Sequence, residues 1–255
     1  MHYLSSCSIV KNEDPYIEDF VKIHKHLGVE FFLFFDRSSN PLSDRFKGRS
    51  DIQVIHFPEP NRHAHAWREG VKMLSGKSKW VQFIDIDQVV VPVQDSNIPS
   101  MLSKYENYAS LGLNWHSFGS NNLEVEPQES TYSAYTKRAL GSSPINNHIQ
   151  SIVQPHRIAP NTWHDPHHPI VIPGETQINK SFNPFSGPFN KPPTQNVGFI
   201  AHYYTRSRQY WSQKIAKRRA DTGTQGGTMQ DFDHHQTYMN AQEDLSVKNI
   251  WDRCK

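Results

Sequence analysis

The stretch that most limits what this chain can fold into is Trp80 to Pro92, WVQFIDIDQVVVP. Trp80 to Ile84 is a largely apolar run. A strand covered on both faces loses its polar alternation, so this run reads as a buried strand. It ends abruptly in two carboxylates, Asp85 and Asp87, one apolar residue apart. In extended chain, residues two apart point the same way, so both acids are expected to face one point beyond the strand's carboxyl end. Open α/β sheets bind ligands at that edge. Two close carboxylates repel unless a cation lies between them, and hard divalent ions such as Mg²⁺ bring phosphate oxygens with them. The competing reading is a strand-end turn with two solvated acids, which an isolated D-x-D fits as well. The apolar strand before it and Val89-Val90-Val91-Pro92 after it favour the functional reading.

The first half of the chain repeats one pattern. Leu4–Val10 reads as a strand followed by Lys11-Asn12-Glu13. Asp14 then suits a helix N-cap and Pro15 its first position. Ile17, Phe20, Val21, His24 and Leu27 keep helical spacing, and Gly28 closes the helix. Glu30–Phe35 is a second strand, ending in Asp36-Arg37-Ser38. Ile52–Phe57 is a third, Arg62–Leu74 a helix, and Trp80–Ile84 the fourth strand. Strands alternating with helices predict a mixed, mostly parallel α/β sheet flanked by helices. Beyond Pro92 the pattern loosens. Ile98–Tyr105 reads as a short helix. Tyr108–Trp115, Tyr132–Arg138, Ile149–Gln154 and Val197–Tyr204 read as strands, with an irregular Pro- and His-rich region at 155–196. Tyr210–Ala220 is a basic helix, 222–228 a mobile Gly/Thr-rich segment, and Phe232–Asn240 a last helix. The 255 residues are read as one domain: residues 1–92 form a nucleotide-binding half and 93–255 a loop-rich half.

The charge balance excludes one class of partner. Lys plus Arg is 27 and Asp plus Glu 25, a net +2, so nucleic acid is not expected. Cys7 and Cys254 give neither a disulfide framework nor zinc-ligand pairs, which fits a reducing compartment. No run is long and apolar enough to span a bilayer.

Several polar residues fall at predicted strand ends, where a parallel sheet would gather them. Asp36 suits a base or ribose contact, or equally turn chemistry with the serines after it. Arg68, on the helix opened by His63 and His65, suits a phosphate, the solvated face being the competing reading and the favoured one for His63. His164-Asp165-Pro166-His167-His168 looks like a metal cluster, but a Pro-broken loop has no spacing that makes its rings converge. A binding or general-base role for His164 or Asp165 is preferred. His202 lies inside a strand and is followed by Arg206, Arg208 and Lys214, an arrangement that suits a metal ligand flanked by phosphate-neutralising cations. Asp233-His234-His235 reads as a solvated face.

Five segments in order carry a family resemblance: IVKNEDPYIEDFVKIHKHLGVEFFLFFDRSS, WVQFIDIDQVVVP, LNWHSFGSN, QSIVQP, and AHYYTRSRQYWSQKIAKRRAD. Together they resemble a group of family 2-like and family 92-like glycosyltransferases. The resemblance implies a GT-A, Rossmann-like fold, a nucleotide-diphosphate sugar donor and Mn²⁺ or Mg²⁺. The implied metal ligands are Asp85, Asp87 and His202. Lys11, Glu13 and Asp36 match positions near the nucleotide. Arg68, Asp85, Arg206 and Lys214 complete the expected donor contacts, and Trp115, His116 and Ser120 the expected acceptor pocket. Asp165, His164 and Glu175 are the candidate bases, with no choice made among them. Where relatives usually carry Glu after the second acid, this chain has Gln88. The implied activity is a metal-dependent, inverting hexosyl transfer, with UDP-galactose among the donors, onto a glycan or lipid-linked acceptor. The alternatives are a metal-dependent phosphoesterase and a nucleotide-sugar-binding module without turnover. Relatives are commonly tethered to membranes and no tether is apparent here. A bacterial or viral form acting in the cytoplasm is therefore expected, with at most peripheral membrane contact through the basic helix around Lys217.

Overall fold

The structure is a computed structural model that describes residues 1–58, 63–163, 165, 167–216 and 226–254. Expectations placed on Arg62, His164, Lys217, Arg218, Arg219 and the segment 220–225 lie outside the described residues. The elements run β1 (His2–Val10), α1 (Ile17–His26), β2 (Phe31–Asp36), β3 (Ile52–His56), α2 (His63–Leu74), β4 (Ser78–Phe83), β5 (Gln88–Pro92) and α3 (Ile98–Leu102). They continue as β6 (Ser110–Ser117), α4 (Thr131–Ala134), β7 (Lys137–Arg138), β8 (Ile149–Val153), β9 (Gln177–Asn179), β10 (Gly198–His202), α5 (Arg208–Ala216), α6 (Met229–Met239), β11 (Gln242–Glu243) and α7 (Ser246–Cys254).

One nine-stranded sheet has the order β3-β2-β1-β4-β8-β6-β10-β5, with β9 added beside β6. β1 pairs in parallel with β2 and β4, β2 with β3, and β6 with β10 and β9. β8 runs antiparallel to β4 and β6, and β5 antiparallel to β10. This is the mixed, mostly parallel α/β class expected from the sequence. The directions place the carboxyl ends of β1, β2, β3, β4, β6 and β10 along one edge. The amino ends of β8 and β5 join them there. Ligands of open α/β sheets bind at such an edge.

The central strands are apolar on both faces because helices cover both. Leu4, Phe32, Phe34 and Trp80 pack with Phe20 and Val21 of α1, while Cys7, Leu33, Phe35 and Phe83 pack with Trp67 and Val71 of α2. A Cβ on Gly70 of α2 would lie 2.7 Å from the Cys7 sulfur, so that helix sits as close as a glycine allows. α1 has its N-cap at Tyr16, without a side-chain cap, rather than at Asp14. Gly28, at φ +100°, closes it as expected.

Three assignments differ from the sequence reading. Tyr132–Arg138 is a single helical turn capped by Ser130, then a two-residue strand. Its two tyrosines are three residues apart, as a helical turn requires, and both are buried in the core. β5, not assigned as a strand from the sequence, does not pair with β4. It crosses to the far edge of the sheet, which carries Ile84–Asp87 over the ends of the strands between. α7, missing from the sequence reading, packs Val247, Ile250 and Trp251 into the same core as α1 and α4. Among the described residues no helix is long and apolar enough to cross a membrane. Cys7 and Cys254 are free thiols.

Candidate active site

Asp87 is the centre of the site. It lies in the turn between β4 and β5, and its carbonyl accepts from the Tyr203 N–H at 2.8 Å, which ties it to the end of β10. His202 Nε2 is 3.6 Å from Asp87 Oδ1, and Lys214 Nζ is 3.3 Å from Oδ2. Lys214, on α5, also donates to the Tyr204 carbonyl at 2.9 Å. Burial would raise the Asp87 carboxyl. The charges of Lys214, His202 and Arg206 outweigh it and hold the group well below the usual carboxylate range.

Arg206 is almost fully buried, in a left-handed conformation at φ 50°. Its guanidinium lies between the rings of Tyr16 and Tyr210, 4.0 and 4.4 Å from their centroids. Such faces replace part of the hydration that burial removes. Tyr210, Glu13 and Asp87 surround it, and against the cost of burial they keep it charged. Its Nε and Nη1 have no hydrogen-bond partner among the described residues. The buried guanidinium thus acts on Asp87 and its surroundings as a fixed positive charge rather than as an exposed donor.

Asp85 does not join Asp87. The Gln88 N–H bonds the Asp85 carbonyl at 3.1 Å, and the Asp85 N–H donates to Gln88 Oε1 at 3.2 Å. Residues 85–88 therefore form a tight turn, and the same-side rule for extended chain fails there. The Asp85 carboxylate lies instead 3.9 Å from His63 Nε2. His63, read from the sequence as solvated, has a side chain only 14% exposed. Gln88 keeps an acceptor for the turn without adding a third carboxylate.

Asp87 and His202 suit a divalent ion in chemistry and spacing, since donors each about 2.1 Å from an ion can stand this far apart. Among the described residues no set of three His, Cys, Asp or Glu is assembled for one. The fit is thus to the Asp87–His202 pair, with the Lys214 ammonium sharing the carboxylate.

Around this pair lies an aromatic and histidine-rich wall. Trp115 stacks on His148 at 4.6 Å and meets His202 and His167 edge-on at 4.3 and 5.4 Å. Burial pushes His148 down and His167 down to about 4, so both rings are neutral at pH 7. His148 was not singled out from the sequence, and His167 only as a member of the 164–168 cluster, where His164 and Asp165 were preferred. Only the sheet brings the amino end of β8 and the 158–176 loop against Trp115.

Other expected residues are placed as follows. Asp36 accepts from the Ser38 and Leu42 N–H groups at 2.9 and 2.6 Å and so shapes its own turn. Asn12, between Lys11 and Glu13, bonds Ser38 and Ser39, which joins the ends of β1 and β2. Arg68 donates to the carbonyls of Ala64 and Asn161, which ties α2 to the loop rather than presenting a free cation. His116 faces away from Trp115, as neighbours in a strand must. It stacks on Phe199 at 3.9 Å, with Asp244 at 3.4 Å. Ser120 is buried, with its hydroxyl bonded to Gln236 and accepting from the Asn122 N–H. Asp165 accepts from the His167 N–H at 2.8 Å and has His168 at 3.4 Å. Burial raises its carboxyl, but these contacts lower it further, which weakens it as a base. Glu175 faces Arg157 at 3.5 Å and lines a cleft of about 440 Å³ with His168, Gln177 and Phe185.

Residues 2–224 match the model of glycosyltransferase family 92. A family 92 protein of Ricinus communis is 23% identical over 234 residues, 86% of this chain and 38% of its own length. One of Arabidopsis thaliana is 23% identical over 188 residues, 66% of this chain and 31% of its own. The chain thus spans about a third of the length of these relatives. The catalytic domain of Drosophila β1,4-galactosyltransferase 7, solved with xylobiose, is 11% identical. It superimposes with a TM-score of 0.36, covering 96% of this chain and 83% of that one. A 4-diphosphocytidyl-2C-methyl-D-erythritol synthase is 13% identical at a TM-score of 0.37, covering 62% and 77%. At these scores neither structure assigns a role to any residue. The class is therefore set by the family match, which covers most of the chain. This protein belongs to glycosyltransferase family 92.

Proposed function

We propose that this chain transfers a hexose, with inversion, from a nucleoside-diphosphate sugar to a hydroxyl of a glycan or lipid-linked acceptor. A UDP-sugar is the proposed donor. The observation that carries the reading is the buried Asp87 carboxylate, enclosed by His202, Lys214 and Arg206 at the ligand-binding edge of a family 92 sheet. Mn²⁺ or Mg²⁺ would be held by Asp87 and His202. Such an ion supplies charge neutralisation at the departing diphosphate. Lys214 binds phosphate oxygens, and the buried Arg206 charge stabilises the same developing charge from a fixed position. Trp115 offers an aromatic wall for the sugar ring. Family membership favours transfer over the phosphoesterase alternative.

A screen of nucleotide sugars with Mn²⁺, read by nucleotide release in the presence of glycan acceptors, tests this. Acceptor-dependent release from one UDP-sugar is expected. Inorganic phosphate appearing without any acceptor would replace the reading with the phosphoesterase. Tight nucleotide binding with no release from any donor would leave only a binding module.

A further inference from the structure

The loop that follows β8 is irregular, yet it holds one residue at three atoms. The His167 N–H donates to Asp165 Oδ1 at 2.8 Å, and the His167 carbonyl accepts from Ser151 Oγ at 2.8 Å. Its ring Nδ1 lies 3.0 Å from Gln150 Oε1. The Gln150 amide can face only one way. Its Nε2 is 2.6 Å from the Phe83 carbonyl, and a carbonyl only accepts. Oε1 is therefore the acceptor toward His167, so Nδ1 carries the ring proton and Nε2 keeps its lone pair. Among the described residues no hydrogen bond occupies that Nε2.

The position of the ring gives this lone pair a use. His167 meets the edge of Trp115, and the same indole touches His202, whose Nε2 faces Asp87. One indole thus joins His167 to the residue that faces the proposed diphosphate position, and a sugar lying along that aromatic wall would reach both ends. We propose that His167 is the base that takes the acceptor hydroxyl's proton, with Gln150 as the positioning residue that presents Nε2. This rests on the transferase reading above and goes beyond it.

In the step, the acceptor O–H proton passes to His167 Nε2 while the acceptor oxygen bonds the anomeric carbon. The bond from that carbon to the phosphate oxygen breaks, and its electron pair leaves with the nucleoside diphosphate. The imidazolium then returns its proton to water. Burial sets the resting ring low. Asp165 pulls it up, while His148, His202 and His63 push it further down, and His168 acts through its contact with Asp165. The ring is therefore neutral and able to accept at pH 7. A bound diphosphate adds negative charge beside it and raises its basicity toward the working range.

The test uses the full chain, labelled with ¹⁵N-histidine, in two measurements. Two-bond N–H correlations, assigned by their loss in His167→Gln, should show the Nδ1–H tautomer at pH 7, and Gln150→Leu should abolish that preference. An Nε2–H ring in the wild type overturns the proposal whatever the enzyme's activity. The second measurement is UDP release from UDP-galactose with Mn²⁺, water serving as acceptor. His167→Gln should lower the rate about 100-fold or more, the usual scale for a positioned base, with the UDP-induced rise in melting temperature unchanged. A variant rate near that of the wild type overturns the base and leaves the transferase reading standing. Loss of the UDP shift together with the rate makes His167 a structural residue instead. A wild type that neither binds UDP nor releases it overturns the transferase reading, and the base with it.

Discussion

Asp87 remains ionised in a buried turn because Lys214, Arg206 and the His202 ring surround it, and each can be removed separately. Lys214→Met keeps much of the stem and deletes the ammonium, which lies over the Tyr204 ring. One charge-assisted contact to a phosphate should be lost, which weakens UDP binding about 10- to 100-fold by calorimetry. A second prediction concerns a residue far from the site. His24 is fully buried in α1, with Nδ1 2.8 Å from the Phe20 carbonyl, and burial pushes its pKa down to about 4. The unfolded chain takes up that proton near the ordinary value of about 6.5. Between these values the unfolded state binds more protons, so stability is full above about pH 6.5 and falls as pH drops toward 4. His24→Met should remove up to about 3 kcal/mol of the difference between urea melts at pH 7 and pH 4. An unchanged difference would show that the ring is not buried neutral.

At the scale of elements, the Phe118-Gly119-Ser120 segment serves packing rather than sugar binding. A Cβ on Gly119 would lie 2.6 Å from the Met239 carbonyl at the end of α6. Gly119→Ala should therefore cost about 1–3 kcal/mol in a denaturant melt, with UDP affinity kept. The first half of the fold was legible because its helices keep one apolar face and its strands run unbroken between turns. α1 buries Ile17, Phe20, Val21 and His24 as spaced. The crossing of β5 to the far edge was not legible, since nothing in Gln88–Pro92 states which strand it joins. α7 carries Val247, Ile250 and Trp251 at helical spacing, a signal that was present and unused. In the site, Asp87 and His202 were legible as a strand-end acid and a strand histidine ahead of cations. Asp85 was misplaced because strand geometry was extended into a turn. His116 could have been set aside from sequence, because Trp115 and its neighbour cannot share a face of one strand.

For the whole molecule, one sheet edge collects residues from positions 10 to 206, so the site depends on the far side of the core being closed. α7 supplies part of that closure, beyond the last residue of the family match. Trp251 is buried beside Tyr132, with Lys22 over its ring at 5.3 Å. Trp251→Ala should cost about 3–5 kcal/mol in denaturant. A cost near zero would detach α7 from the folding unit. The central claim is that Asp87 anchors a nucleoside-diphosphate site. Its most direct test is the melting temperature with UDP and Mn²⁺ in the wild type and in Asp87→Ala. At 100 times its dissociation constant a ligand adds about 2.7 kcal/mol, or about 5–10 °C for a chain of this size. That rise is predicted for the wild type and its absence for the variant; an equal rise in both proteins, or none in the wild type, would contradict the account.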